Sequence, residues 1–280
     1  MPFLDKLLKE KPKTPTEVVT KLLTAFDSLT ATRRSNDDRA MEKTHESVAK
    51  YLGFAKLLLF GDDEHEATKE NATALAFEAS RTELLSMIVK HLAELEFESR
   101  KDAAQVFGAI VRIKDNEERG PGASYVVAHP ELPTLLFRGY DEPAIALNCG
   151  AMLRDCLRDD QIARKVLEGP IFLKFFEKVE VANFEIASDA FSTFKDLLVR
   201  HKQAVAQYLQ EHYQETPPSS LHVLRSALRP LAEEDEQFKE EKAVIIKTIS
   251  MLGAPPPPAP PPPAAVPPAP SDSAGGNPAS

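Results

Sequence analysis

One helical phrase returns three times at a nearly constant interval, and that return limits what the chain can fold into. The copies are KDAAQVFGAIVRIK from Lys101, AIALNCGAMLRDCLR from Ala144 and EIASDAFSTFKDLLVR from Glu185. Alignment of Gln105, Asn148 and Asp189 gives offsets of 43 and 41 residues. Repeats of HEAT and armadillo type, each a stack of two or three helices, have this period. No stretch alternates apolar and polar residues for long enough to argue a sheet. The fold expected is all-α, an armadillo/HEAT-like solenoid. Such arrays present an extended surface to a partner and seldom enclose a catalytic pocket.

The segments between the copies fit that frame. LLSMIVKHLAEL (84–95), LPTLLFRGY (132–140) and FLKFFEKV (172–179) are apolar helices, each followed by a turn and then the phrase. Upstream, Thr14-Pro15-Thr16-Glu17 has the chemistry of a helix start, with a capping hydroxyl, proline in the first turn and an acid near the positive helix end. Residues 37–60 are a further amphipathic helix that Gly61 stops. Helices at 67–79 and 81–95 complete an N-terminal bundle. Asp115–Ser124, with two glycines and Pro121, reads as a polar loop.

The pattern changes after His212. Pro217-Pro218-Ser219-Ser220 interrupts it, and Glu233–Leu252 reads as a last helix with an acidic N-terminal end and Gly253 as its cap. From Ala254 the chain is Pro/Ala and then Ser/Gly, and 12 of its 23 prolines lie in the last 26 residues. A segment of that composition cannot bury a core. The expected organisation is a helical domain over 1–252 and a Pro/Ala/Ser-rich tail over 253–280. The tail reads as a solubilising linker or, in residues 255–270, as a polyproline ligand for profilin or WW domains.

Charge and cysteine content exclude several functions. Net charge is −9 without a large basic block, so nucleic acid and anionic membranes are not expected partners. No apolar run approaches the ~18 residues that suggest a membrane span. Cys149 and Cys156 sit seven apart on one expected helix, roughly 10 Å between Cα atoms, too far for a disulfide. They read as free, buried thiols in a reducing compartment, and a cytoplasmic protein is expected. His45-Glu46 and His65-Glu66 lack the second histidine of a zinc helix. Asp62-Asp63-Glu64 lacks the calcium-loop spacing and its central glycine. Neither a cofactor, a metal site nor an enzymatic activity is expected.

GYDEPAIALNCGAMLRDCLR (139–158) and FEIASDAFSTFKDLLVRHK (184–202) closely resemble the Mo-25 family, also called calcium-binding protein 39. TPTEVVTKLL, FESRKDAAQVFGAIVR (97–112) and EDEQFKEEKAVIIKTI (234–249) match in the same order, so the resemblance covers about 1–213 and 233–252. It implies a non-enzymatic armadillo-like scaffold that binds and activates Ste20-type protein kinases and related pseudokinases in intracellular signalling. The concave face would cup the small lobe of the kinase. One family contact, an aromatic residue before IASDAF, matches Phe184; the residues alone equally allow a core phenylalanine at a helix start. The family would continue after His212-Tyr213 with about two further repeats of ~40–47 residues. Here a loss of repeats near 214–232 is expected. The alternative function is a truncated helical adaptor that activates no kinase.

Two strips are the candidate contact face. In the third phrase Ala190, Phe191, Phe194, Leu197 and Leu198 form the buried stripe, and Ser188, Ser192, Lys195 and Val199 run beside it. In the second phrase Asn148, Met152 and Asp155 hold related places. Either strip could be an ordinary solvated helix face, and Asn148 could instead hydrogen-bond a neighbouring repeat.

Overall fold

The computed structural model describes residues 14–35, 37–63, 66–114 and 119–212. Several expectations fall outside these residues: the break at 217–220, the last helix at 233–252 with Gly253, and the proline-rich tail. Among the described residues the chain is all-α, as its periodicity predicts, with no strand.

Two long helices open the fold. α1 (Pro15–Ser35) begins where Thr14 Oγ1 accepts from the Glu17 N–H at 3.3 Å. Val18, Leu22 and Phe26 on it are fully buried. α2 (Asp38–Phe60) is capped by Asp37, which accepts from the Ala40 N–H at 3.0 Å. It ends at Gly61, whose φ of 71° only glycine adopts without strain. The two helices pack along each other.

Three-helix repeats follow. The first consists of α3 (Lys69–Ser80), α4 (Leu84–His91) and α5 (Phe97–Arg112). The second consists of α6 (Pro121–Ala128), α7 (Glu131–Arg138) and α8 (Ala146–Cys156). The third consists of α9 (Asp160–Glu168), α10 (Ile171–Lys178) and α11 (Phe184–Arg200). α12 (Lys202–His212) stands where the first helix of a further repeat would stand.

Contacts sort these helices into rows. The phrase helices stack consecutively, α2 on α5, α5 on α8 and α8 on α11. The leading helices do likewise, α3 on α6, α6 on α9 and α9 on α12. The core lies between the rows and continues through each repeat. Phe137 meets Phe175 at 4.7 Å between ring centroids, Phe175 stacks on Phe194 at 5.3 Å, and Phe172 meets Tyr208 at 4.9 Å. These rings join α7, α10, α11 and α12 in one apolar column.

The structure corrects one reading and adds a helix. Pro121 does not sit in a loop: the chain turns at Gly120 and proline takes the first position of α6, where its missing N–H costs nothing. α9 lies between the second phrase and the next apolar helix, a stretch to which the periodicity assigns no element. Asp159 caps it, accepting from the Gln161 and Ile162 N–H groups at 2.9 and 3.2 Å. Each repeat therefore has three helices.

Both cysteines are free and buried. Burial pushes the Cys149 thiol up to about 12, with help from the negative charge of Glu142, and raises Cys156 as well, so both remain protonated. Among the described residues no helix is long and apolar enough to cross a membrane.

Candidate functional site: the outer strip of the phrase row

Stacking leaves each phrase helix a narrow outer strip. A helix in the middle of a row has neighbours on both sides and the core behind it. Only one line of residues remains open. On α5 that line runs through Lys101 and Gln105, on α8 through Leu147 and Ala151, and on α11 through Ser188 and Ser192. Between α2, α5 and α8 it forms a shallow groove of about 560 Å³, lined by Phe60, Lys101, Gln105, Leu147, Asn148 and Ala151 among others.

Large apolar side chains stand in solvent along this row. Phe184 is 82% exposed, Phe97 66%, Phe60 50% and Leu147 46%. Single exposed apolar residues need no explanation, but four on one row do. Phe184 owes its exposure to its place. Asn183 caps α11, accepting from the Glu185 and Ile186 N–H groups at 3.1 and 3.2 Å, and Phe184 is the first helical residue beyond that cap. The structure thus places Phe184 in solvent, not in the core.

The other candidates divide. Ser188 and Ser192 are exposed, with Ser192 donating back to the Ser188 carbonyl at 3.0 Å, and Lys195 and Val199 are half-buried on the same strip. Asn148 lines the groove. Met152 is fully buried and offers nothing to a partner. The 3–4 spacing that counts Asn148, Met152 and Asp155 as one strip is one position out. The open line on α8 follows Leu147 and Ala151, with Asp155 half-buried at its end. Of the expected buried stripe, Ala190, Phe194, Leu197 and Leu198 are buried and Phe191 is half-buried.

Asp155 is at the edge, tied across the seam to Arg112 of α5 and along its own chain to Arg158 at 3.3 Å. Lys56 of α2 pairs with Asp102 of α5 at 2.6 Å. At the next seam Arg154 of α8 grips Asp189 of α11 through both terminal nitrogens, each at 2.9 Å. Tyr140 donates its hydroxyl to the same carboxylate at 2.8 Å, and Arg154 also donates to Thr193 Oγ1 at 2.8 Å. Burial and the charge of Asp189 raise the Tyr140 hydroxyl, which stays protonated as a donor. Burial works against the Arg154 charge, but its bonds to Asp189 outweigh this and hold the guanidinium ionised. Glycines make room for both acids: a Cβ on Gly108 would strike Asp155, and one on Gly150 would strike Asp189 and come within 2.5 Å of the Tyr140 hydroxyl.

These seams carry the two phrases whose wording is most distinctive. The sequence signature described as Mo25-like matches residues 6–227, most of the chain. The chain belongs to the Mo25-like family. It is 49% identical over 181 residues to the "Degreening-related gene dee76 protein" of Auxenochlorella protothecoides, which covers 65% of this chain and 55% of that protein. It is 40% identical over 211 residues to "MO25-like protein 2" of Caenorhabditis elegans, with 75% of this chain and 62% of that one aligned. It is 40% identical over 207 residues to the "Calcium-binding protein 39-like" of Homo sapiens, with 74% and 60% aligned. The aligned part thus spans less than two thirds of each of these relatives. Membership in the Mo25-like family supports a scaffold or adaptor role. The strip has the matching chemistry: apolar side chains, hydroxyls and an amide on a preformed face. Among the described residues no cluster of His, Cys, Asp and Glu could hold a metal ion.

The sequence reading missed the seam network. Asp189 aligns with Gln105 and Asn148 in the repeat, but it is turned into the seam while Gln105 is exposed. Its partners Arg154 and Tyr140 are 35 and 49 residues away. Gly-x-x-x-Arg, present as Gly108/Arg112 and Gly150/Arg154, is the local signal that could have found it.

Proposed function

We propose that this chain is a non-enzymatic scaffold that holds a Ste20-type protein kinase or pseudokinase on the outer strip of its phrase row and favours the active conformer. The observation that carries the reading is Phe184. It is the most exposed large apolar side chain among the described residues, it is fixed by the Asn183 cap, and it falls where the family places a contacting aromatic. An aromatic anchor with neutral polar neighbours is the composition of an interface centre. Ser188, Ser192, Lys195 and Val199 would flank the anchor, and Asn148 with Leu147 would extend the contact toward Phe60.

The mechanism is a population shift. A surface complementary to only one arrangement of the kinase raises that arrangement by its differential affinity, tenfold for about 1.4 kcal/mol. No group on the scaffold has to touch the reacting phosphate. The two steps separate experimentally. A Ste20-type kinase should co-purify with the protein, and calorimetry should give a Kd that Phe184→Ala weakens about tenfold or more. Leu173→Ala, in the middle helix of the same repeat, should leave it unchanged. Equal binding by the two variants would remove the strip from the interface. Kinase activity measured with and without the scaffold then tests activation.

A further inference from the structure

A second groove lies on the leading-helix row, between α3 and α6. It encloses about 710 Å³. Its walls are Phe77 of α3, Pro121 of α6 and half-buried His129, which stacks on the buried Tyr125 ring at 3.9 Å between centroids. The pair is preformed: the Tyr125 hydroxyl shares a 2.8 Å hydrogen bond with buried Ser86, and His129 Nδ1 lies 2.8 Å from the Tyr125 carbonyl. Phe77 is 47% exposed and lines the same groove. Arg81 and Ser124, both exposed, place N–H and O–H donors at the rim.

An aromatic trough with donors at its rim fits one class of ligand especially well. Polyproline offers apolar rings on its faces and carbonyl acceptors, but no N–H donors. Recognition grooves for such segments are aromatic-lined for this reason. The chain has such a ligand of its own. Residues 255–263 are Pro-Pro-Pro-Pro-Ala-Pro-Pro-Pro-Pro, without a charge and with a single N–H donor, at Ala259.

We propose that the groove between α3 and α6 holds this chain's own proline run, residues 255–263. Distance permits it. α6 contacts α9, and α9 contacts α12, where the described chain ends. At 8–10 Å between packed axes the groove is only about 20–30 Å from α12. Residues 213–254 lie between His212 and the run, and a chain of about forty residues can reach ~130 Å. Tethering also supplies a local concentration in the millimolar range, so a weak site is filled within one molecule. The groove between α2, α5 and α8 is the poorer choice. Charged residues border both grooves, Lys101, Arg112 and Asp155 there and Arg81, Glu83 and Arg119 here, but Phe60 is the one aromatic residue among those lining the first. A docked run would be withheld from profilin-type or WW-type partners until released.

Hydrogen–deuterium exchange on the full chain tests this without truncation. One variant replaces the prolines of 255–263 with serine at constant length; a second is Phe77→Ser in the otherwise unchanged chain. Amides of 77–83 and 122–129 should exchange about tenfold faster in the proline-substituted chain than in the parent. That variant leaves every described residue intact, so loss of fold cannot produce the result. Phe77→Ser should reproduce the pattern locally. A synthetic peptide of residues 255–270 should bind the proline-substituted chain at least about tenfold more tightly than the parent, whose groove is already filled. Identical exchange in parent and proline-substituted chains would overturn the proposal. So would protection that disappears on dilution, which would assign the groove to a second copy. Peptide binding without protection in the parent would assign it to a proline-rich segment of another protein, and would also overturn the proposal.

Discussion

The two inner seams of the phrase row solve one problem with different margins. Between α5 and α8 a single ion pair, Arg112 with Asp155, bridges the helices, and 39% of the arginine side chain remains in solvent. Between α8 and α11 the Arg154 fork and the Tyr140 hydroxyl converge on the Asp189 carboxylate, with Thr193 Oγ1 beside them; the two acids are equally withdrawn, 15% exposed for Asp155 and 16% for Asp189, but the arginine exposure falls to 26%. An exposed pair gains little because water solvates the separated partners almost as well. A network withdrawn from water cannot be solvated when one member is removed. The two seams therefore do different work: the first is adjustable, and the second fixes how α11, with Phe184 and its strip, is presented.

The largest effect should come from breaking the second seam. Asp189→Ala takes the carboxylate from a half-buried guanidinium and a buried phenol, which must then share Thr193 Oγ1 as their side-chain acceptor. We expect a loss of about 3 kcal/mol, at the low end for a buried pair because part of Arg154 still meets water. Urea unfolding should show a lower midpoint at unchanged slope. Arg154→Met combined with Asp189→Leu should recover most of the loss, since an apolar pair leaves no charge behind. A loss below about 0.5 kcal/mol for Asp189→Ala would place it with exposed pairs and erase the distinction between the seams.

Glycine substitutions sharpen the same contrast. Alanine gains about 1 kcal/mol over glycine within a helix. At Gly108 that gain competes with displacing the end of the Asp155 side chain, which is free to swing toward Arg158. The expected sum is near zero. At Gly150 the new methyl meets an Asp189 held by three hydrogen bonds and a Tyr140 that cannot retreat. Overpacking of 1–3 kcal/mol plus the disturbed network should exceed the gain, for a net loss of about 2 kcal/mol. Thermal midpoints of the two variants measured side by side decide this, and equal shifts would contradict it. Asp155→Asn, which removes the charge that the largely exposed Arg112 and Arg158 share, should cost about 0.5 kcal/mol.

How much of this was legible in the sequence follows from how local each signal is. The phrase helices were, because Val106, Phe107 and Ile110, like Cys149, Leu153 and Cys156, repeat the period of a single helix face. α6 and α9 were not, being about two turns long and beginning at Gly-Pro and Asp-Asp, which also mark loops. The exposure of Ser188 and Ser192 followed from spacing, since α11 is flanked by α8 on the phrase row. Met152 went wrong because α8 has α5 on one side and α11 on the other, which narrows its open strip below what spacing alone suggests. Asp189 could not be assigned because its role depends on partners from two other helical segments.

The expected effect on stability is also small at Phe184, and that is its value. It lies five residues from Asp189 on α11, yet at 82% exposure its ring contributes almost nothing to the core. Phe184→Ala should leave the urea midpoint within about 0.5 kcal/mol of the parent, since the Asn183 cap uses backbone N–H groups that the substitution does not touch. Asp189→Ala should do the reverse, lowering stability while leaving Phe184 on the surface. If the kinase contact is centred on Phe184, the two variants separate cleanly: one loses affinity at constant stability, the other loses stability first and affinity only as α11 shifts. A Phe184→Ala protein destabilised by 2 kcal/mol or more would mean that the ring packs against something in solution. The anchor would then have to be sought along the groove beside Phe60 and Leu147.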